Sequence, residues 1–245
     1  MATSDPSSPA GRLEQALEKG EISLQGQFLL GSNYTFLVTV QYAGQAYQAV
    51  YKPMRGEQPL WDFTPASLAG REVAAYRLDQ LLGFGFGFVP VTVLREGPYG
   101  PGSLQQYIEY DPRHHYFAFS PAERRRLAGV ALFDLLVNNA DRKGSHVLFA
   151  QDSRKLHAID HGLCFHVQDK LRTVIWDFAG EEIPLDMVER LLSLHSREGE
   201  WQPALAEYLL PEEITALEGR LEGLLEYPVY PQPPQNRRAF PFPPI

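Results

Sequence analysis

Residues 120–165 read SPAERRRLAGVALFDLLVNNADRKGSHVLFAQDSRKLHAIDHGLCF, and this stretch decides the fold because short apolar runs in it end in polar residues that add nothing to packing. Ser120, Pro121 and Glu123 predict a helix start, with a capping box and a proline in the first turn. The helix continues with the spacing of one buried face, formed by Ala128, Ala131, Leu132, Leu135 and Leu136.

The apolar stripe stops at Asn138-Asn139, and a polar loop follows. Two short apolar runs come next, at 147–149 and 156–159, separated by a turn signal at Asp152-Ser153. Such runs on either side of a turn predict a β-hairpin.

Antiparallel pairing about residue 153 would place His146 opposite Asp160. Directly opposed cross-strand residues have Cβ atoms about 4.5–5.5 Å apart, which is close enough for both side chains to hold one cation. Asp141 precedes the first strand at the same end. The sequence therefore predicts two carboxylates and an imidazole near one point; the alternative is a polar hairpin whose charges are only solvated.

The region before this stretch is β-rich from Ile22 onward, with strands predicted at 34–40 and 46–51. Lys52 closes the second of these strands. Glu72 falls on the apolar stripe of a helix predicted to start near Thr64-Pro65, and a buried carboxylate needs a partner because an unpaired buried charge is costly. We therefore expect Lys52 and Glu72 to pair.

Residues 139–143 (NADRK) and 160–162 (DHG) resemble the catalytic and metal-binding loops of the atypical kinases, among which the phosphatidylinositol 3-/4-kinase catalytic domain and the HipA-like bacterial kinases are the nearest relatives. Four longer motifs more closely resemble an uncharacterised bacterial family described as kinase-like, and they lie at 51–63 (YKPMRGEQPLWDF), 138–146 (NNADRKGSH), 159–166 (IDHGLCFH) and 170–180 (KLRTVIWDFAG). This resemblance implies an α+β, bilobed, protein-kinase-like (atypical kinase) fold with an antiparallel β-rich N-lobe and a mainly helical C-lobe.

The resemblance also implies roles for individual residues. Asp141 would accept the proton of the acceptor hydroxyl, with Asn139 and Arg142 beside it in the catalytic loop, and Asp160 would bind the metal that bridges the phosphates. The residues implied for ATP binding are Lys52, Glu72, Ser32, Asn33, Gln106 and Ile108. Ser32 and Asn33 belong to a polar loop between strands, for which a simple turn is the alternative.

His146 departs from the pattern of these kinases, which commonly carry Asn five positions after the loop aspartate. Magnesium prefers oxygen ligands, whereas imidazole suits manganese or zinc better. Three consequences stay open: a shifted metal preference between Mg²⁺ and Mn²⁺, a phosphate contact by His146, or loss of catalysis.

The segment that follows Phe165 contains Lys170 and Arg172, whose positive charges would steer an acidic or phosphorylated acceptor unless this is only a solvated loop. The composition of 22 basic and 30 acidic residues gives a net charge of −8, which argues against a nucleic-acid partner. The sequence contains no run of about 20 apolar residues, which a membrane span would need, and its first residues lack the apolar core of a signal peptide. We therefore expect a cytoplasmic protein. The single cysteine, Cys164, is expected to be a buried apolar residue rather than a reactive thiol.

These observations predict four regions: a disordered N-terminus (1–11), an N-lobe (12–108), a C-lobe with the catalytic and metal loops (109–227) and a Pro-rich tail (228–245). We expect the tail to wrap along the surface through Phe240 and Phe242; the alternative is a polyproline ligand. The expected function is ATP-dependent phosphoryl transfer to an unidentified hydroxyl acceptor, either a protein or a small molecule. The alternatives are a nucleotide-binding pseudokinase that acts as a regulatory module, and an adenylyl transferase on the same scaffold.

Overall fold

The computed structural model describes residues 8–28, 33–83 and 86–245. An antiparallel sheet of five strands forms the N-terminal part: β1 (Glu21–Gln27), β2 (Phe36–Tyr42), β3 (Gln45–Pro53), β4 (Thr92–Gly97) and β5 (Gly100–Gln106). Their order across the sheet is β1-β2-β3-β5-β4. This order puts the strand that carries Lys52 in the centre of the sheet.

Tight turns connect β2 to β3 and β4 to β5. The β2–β3 turn is Ala43-Gly44, and both residues have positive φ angles, of 49° and 78°, which suits a two-residue hairpin turn. In the β4–β5 hairpin Gly97 pairs with Gly100, so two residues form the turn between these strands.

Helix α1 (Pro9–Lys19) precedes the sheet and begins earlier than expected. The Ser8 side chain caps it by accepting a hydrogen bond from Gly11 N at 3.0 Å, and Pro9 occupies the first turn. Residues 9–11 are therefore helical, which corrects their assignment to a disordered terminus; residues 1–7 lie outside the described part of the chain.

Helix α2 (Leu68–Leu82) connects the two parts of the molecule. It begins at Leu68 rather than near Thr64-Pro65, and its first amides are satisfied from a distance: the Glu57 carboxylate accepts hydrogen bonds from Leu68 N at 3.3 Å and Ala69 N at 3.0 Å. The helix contacts the sheet on one side and the C-terminal helices on the other. Residues on almost every side of α2 are therefore buried, and Glu72 is one of them.

The C-terminal part is mainly helical. It contains α3 (Pro121–Arg125), α4 (Ala128–Val137), the short hairpin β6 (Val147–Phe149) and β7 (Leu156–Ala158), and the helices α5 (Leu185–His195), α6 (Glu198–Leu205) and α7 (Pro211–Glu226). The predicted capping box of Ser120 and Glu123 is present. The helix that it starts breaks after Arg125 and resumes at Ala128, so the expected single helix is two.

The Pro-rich tail follows the surface of the helical part, but its buried residues differ from those expected. Tyr230 is 4 % exposed and donates a hydrogen bond to Ala128 O at 3.0 Å, and Ala239 is 8 % exposed. Phe240 and Phe242 are instead 50 % and 80 % exposed. The expectation that these two aromatic side chains anchor the tail is therefore wrong, because the tail is held by its main chain, by Tyr230 and by Arg237, which forms an ion pair with Asp169.

Cys164 is fully buried, as predicted, and burial raises the pKa of its thiol well above the ordinary value. A thiol in that environment stays protonated and packs as an apolar side chain. Among the residues that the structure describes, no helix combines the length and the apolar character needed to cross a membrane.

Candidate functional site

Lys52 is the residue at which the candidate site comes together. Pairing with Ser103 of β5 fixes its place in the sheet. Its Nζ lies 2.5 Å from Glu72 Oε1 and 2.9 Å from Asp160 Oδ1. The predicted pair of Lys52 and Glu72 is thus present, and the sheet, helix α2 and the loop after β7 meet at one ammonium group.

Glu72 also holds the loop that carries Asp160. It is 3 % exposed, and its second oxygen, Oε2, accepts a hydrogen bond from His161 N at 2.9 Å. Both oxygens are therefore bonded, which offsets the cost of removing the carboxylate from water. The position of the Asp160 loop consequently depends on helix α2.

Opposite charges keep Lys52 and Asp160 ionised. Burial lowers the pKa of Lys52, but attraction to Asp160 and Glu72 outweighs it and raises the pKa above its ordinary value. Burial alone would raise the pKa of Asp160, whereas the charge of Lys52 and its hydrogen bond to this carboxylate lower it well below its usual range. The Asp160 side chain is 46 % exposed, so one side of this carboxylate faces solvent and is accessible to a ligand.

The β6–β7 register differs by one residue from the predicted one. Val147 pairs with Ala158 and Phe149 with Leu156, so His146 lies opposite Ile159 rather than Asp160. The two predicted side chains still meet, with His146 Nε2 3.2 Å from Asp160 Oδ2. They meet because Asp160 leaves the strand with a positive φ of 62°, which turns its carboxylate back toward the histidine.

His146 ends a short 3₁₀ turn at Gly144–His146 and is 9 % exposed. Burial lowers its pKa to about 4, with the nearby Asp160 opposing that shift. The imidazole is therefore neutral at physiological pH, which is the form that binds metals.

Asp141 lies in the loop between α4 and β6 and carries a perturbed pKa. Its backbone N donates a hydrogen bond to Asn139 Oδ1 at 2.9 Å, and its Oδ2 lies 3.2 Å from Lys143 Nζ. Burial raises the pKa of Asp141 to about 6, although Lys143 and Arg172 act in the opposite direction. A carboxylate with this pKa is deprotonated at pH 7 and basic enough to accept a proton from a bound hydroxyl group.

The Arg142 side chain forms its bonds away from the Asp141 carboxylate, although the kinase resemblance implies a catalytic position for Arg142. Its guanidinium is fully buried, forms an ion pair with the equally buried Asp134 (Nε to Oδ2 2.9 Å) and lies 2.8 Å from His161 Nε2. Asn139 is also fully buried, and its Nδ2 donates to Asp134 Oδ1 at 3.1 Å. Arg142 and Asn139 therefore hold the Asp141 loop in place by bonding to the buried Asp134 of helix α4.

Asp134 is a further residue of the site that is not among those predicted above. The sequence does contain a signal for it, because Asp134 is an acidic residue within the apolar run of helix α4, as Glu72 is in α2. A carboxylate in such a place requires a cationic partner.

The loop before β2 is described only from Asn33 onward, so Ser32 lies outside the described residues. Asn33 Oδ1 accepts a hydrogen bond from Gln58 N at 2.7 Å. Its side-chain oxygen is therefore used to join this loop to the segment after β3.

The two remaining predicted residues differ in their surroundings. Gln106 ends β5, and its N donates to Val91 O at 2.8 Å, so that amide is used within the sheet. Ile108 is 9 % exposed and forms a small apolar cluster with Leu148 and Ala150, against which Ile159 packs. This cluster places apolar surface one residue away from Asp160.

The donor set around Asp160 suits a divalent cation that has other ligands as well. Asp160 is ionised and His146 is neutral, and both are in their metal-binding forms. Across the described ranges, no group of three or more His, Cys, Asp or Glu side chains is arranged to hold a metal ion by itself. Asp160 and His146 therefore offer one oxygen ligand and one nitrogen ligand to a divalent cation, and its remaining ligands would have to come from bound molecules or water.

The chain is 36 % identical to protein Rv2133c of Mycobacterium tuberculosis (strain ATCC 25618 / H37Rv) over an alignment 263 positions long that covers 93 % of each protein. This chain belongs to the Rv2133c family. A second relative of this chain is phosphatidylinositol 4-kinase gamma 4 of Oryza sativa subsp. japonica, with 30 % identity over an alignment 156 positions long that covers 50 % of this chain and 27 % of the plant protein. No family model matches the sequence.

Solved structures assign the fold of this Rv2133c family member. The Helicobacter pylori proinflammatory kinase CtkA superposes with a TM-score of 0.56 at 12 % sequence identity, covering 87 % of this chain and 94 % of that one. A HipA complex of Shewanella oneidensis MR-1 also matches, with a TM-score of 0.46, 12 % identity and coverage of 84 % and 67 %. The likeness to CtkA, together with the five-stranded sheet and the helical part, confirms the predicted protein-kinase-like fold.

Proposed function

We propose that this chain is an ATP-dependent phosphotransferase that transfers the γ-phosphoryl group to a hydroxyl group of an acceptor molecule. The observation that carries the proposal is the Lys52 ammonium group, held 2.5 Å from Glu72 and 2.9 Å from Asp160. A lysine fixed in this way by a helix glutamate is oriented to bind phosphate oxygens. The names of two relatives, a phosphatidylinositol 4-kinase and the kinase CtkA, support the same activity.

The nucleotide would bind along the line from Ile108 to Lys52. The apolar cluster of Ile108, Leu148 and Ala150 offers a surface for the adenine ring. Among the described residues, the backbone N–H and C=O of Ile108 have no hydrogen-bond partner, so they are available to the edge of the base. The loop with Ser32 and Asn33 would cover the phosphates that Lys52 binds.

Asp160 and His146 would hold the divalent metal, which supplies positive charge against the charge that develops on the transferred phosphoryl group. In the transfer step the acceptor oxygen forms a bond to the γ-phosphorus while the bond from that phosphorus to the β,γ-bridging oxygen breaks, so that ADP leaves. Asp141 accepts the proton of the acceptor hydroxyl. Its pKa of about 6 suits this task because the carboxylate is ionised at neutral pH yet remains basic.

The deciding experiment is calorimetric titration with ATP, first with Mg²⁺ and then with Mn²⁺. Asp160→Asn is compared with Asp152→Asn, a matched control that makes the same change in the exposed turn of the β6–β7 hairpin. We expect metal-dependent binding in the wild type and in Asp152→Asn, and binding weakened by about tenfold or more in Asp160→Asn. Absence of binding to the wild type with both metals would refute the proposal.

A nucleotide-binding module without turnover is the second candidate. The observation that favours it is His146, whose Nε2 lies 3.2 Å from Asp160 at the position where related kinases commonly carry Asn. Labelled ATP separates the possibilities. Transfer of the γ-label identifies a phosphotransferase, transfer of the α-label an adenylyl transferase, and binding without either a regulatory module.

A further inference from the structure

We infer that Arg172 binds an acidic group of the acceptor, a phosphate or a carboxylate, beside the hydroxyl group that receives the phosphoryl group. The inference rests on the proposed function, because it assigns acceptor specificity at the same site. From the sequence, Lys170 and Arg172 are equally suited to steer an acidic substrate. The structure separates the two.

Lys170 is already occupied. It is 8 % exposed, forms an ion pair with Asp62, and its Nζ lies 4.9 Å from the centre of the Trp61 ring. Its backbone N also donates to Asn138 Oδ1 at 2.9 Å. These contacts join the segment after Phe165 to the segment before α2, so Lys170 is a structural residue.

The backbone of Arg172 is fixed directly beside Asp141. Arg172 N donates to Asn139 O at 2.9 Å, and Arg172 O accepts from Arg142 N at 3.0 Å. Thr173 and Arg142 form a parallel bridge that continues this contact. Asp141 lies between the two loop residues that Arg172 bonds, so the two side chains start from neighbouring positions.

The Arg172 side chain is partly exposed, whereas Leu171 and Thr173 on either side of it are 6 % and 3 % exposed. Arg172 is therefore the residue of this buried segment whose side chain solvent can reach. Its charge reaches Asp141, since it is one of the groups that lower the pKa of that carboxyl against the larger effect of burial.

Charge balance distinguishes Arg172 from the other cations of the site. Lys52, Arg142, Lys143 and Lys170 each form an ion pair with a carboxylate. No carboxylate of the described residues forms an ion pair with the Arg172 guanidinium. A partly buried guanidinium without a counter-ion, next to the proposed base, is suited to two oxygens of an incoming phosphate or carboxylate.

The test uses three alcohols that differ only in their acidic group: glycerol, glycerate and glycerol 3-phosphate. Their binding to the full chain with ADP and metal is measured from the rise in Tm with ligand concentration at constant ionic strength. Arg172→Gln is compared with Arg190→Gln, a matched control that changes a partly exposed arginine of helix α5. Arg172→Lys keeps the charge but removes the planar fork, and serves also if Arg172→Gln does not fold.

We expect the wild type to prefer at least one acidic alcohol over glycerol, and Arg172→Gln to weaken that binding by about tenfold or more while Arg190→Gln does not. Arg172→Lys should give an intermediate loss, and ATP affinity should stay unchanged in all three variants. The preferred alcohol distinguishes phosphate from carboxylate. Equal binding of the three alcohols, equal binding by wild type and Arg172→Gln, or loss of ATP binding in Arg172→Gln would overturn the inference. Failure of the wild type to bind ATP would instead refute the proposed function.

Discussion

Arg142 and Asp134 form an ion pair in which neither side chain is exposed, with Nε and Oδ2 2.9 Å apart. The same guanidinium donates a hydrogen bond to Ile159 O at 2.6 Å. Helix α4, the Asp141 loop and the residue before Asp160 are therefore joined through one buried side chain. The distance between the proposed base and the proposed metal ligand depends on this pair.

Replacement of Asp134 by Asn should destabilise the protein by about 3–5 kcal/mol, because it leaves the Arg142 charge buried and unpaired. Urea denaturation gives the free energy of unfolding. Asp111→Asn is the matched control, since it breaks the pair of Asp111 with Arg113 at the surface, where the side chains are 46 % and 90 % exposed. Its urea midpoint should equal that of the wild type. Similar urea midpoints for Asp134→Asn and Asp111→Asn would show that the buried pair of Arg142 and Asp134 stabilises the protein no more than the exposed pair does.

The same physical rule explains both the success and the failure of sequence reasoning here. A carboxylate on an apolar helix face needs a partner, and this rule predicted the contact of Glu72 with Lys52. Applied to Asp134, the rule predicts a buried cationic partner, which in the structure is Arg142, whereas the kinase resemblance implies a catalytic position for Arg142. The kinase-like fold and the meeting of His146 with Asp160 were also predictable from the sequence.

The exact geometry was not predictable. Strands of three residues, such as β6 and β7, bury too little surface on one face to fix the pairing register from the residue pattern. The positive φ of Asp160 arises in the folded loop, and the residue type alone does not predict that Asp160 adopts it. Contacts between segments that are separated in sequence, such as the capping of α2 by Glu57, cannot be predicted from local sequence patterns because they form only in the folded chain.

The pH dependence of turnover should report on Asp141. Its pKa is raised from 3.8 to about 6 by burial, so kcat/KM should rise with pH and level off above about 6. Because Lys143 attracts the ionised carboxylate, Lys143→Met should move this limb to higher pH, by about one unit. Lys155→Met, at an exposed lysine of the β6–β7 turn, should leave the limb in place. A limb that stays fixed in Lys143→Met would exclude Asp141 as its source.

Stability should respond to the same carboxyl group with the opposite sign. A carboxyl whose folded pKa is raised stabilises the folded state at pH values below its ordinary pKa, and this contribution is lost as pH rises through the folded value. Between pH 3.8 and about 6 the wild type should therefore lose stability relative to Asp141→Asn. Urea denaturation across this range measures the difference, and parallel stability curves for the two proteins would contradict the assignment.

His146→Asn should shift the metal preference toward Mg²⁺. The imidazole is neutral because burial lowers its pKa to about 4, and it favours softer metals than an amide oxygen does. We expect the ratio of activity with Mn²⁺ to activity with Mg²⁺ to fall by about tenfold in the variant. His195→Asn, at a partly exposed histidine at the end of α5, is the control and should keep the wild-type ratio. An unchanged ratio in His146→Asn would place this imidazole outside the metal's ligands.

The C-terminal tail should stabilise the loop that carries Asp141. Gly144 N donates a hydrogen bond to Pro244 O at 2.8 Å, three residues after the proposed base. Deletion of residues 240–245 removes that acceptor, so amide exchange at Gly144, measured by hydrogen–deuterium exchange, should accelerate by about tenfold. Pro244→Ala keeps the carbonyl group and should exchange as the wild type does. If exchange accelerated equally in Pro244→Ala, the proline ring rather than the hydrogen bond would be what protects the loop; if it accelerated in neither variant, the tail would have no hold on the Asp141 loop.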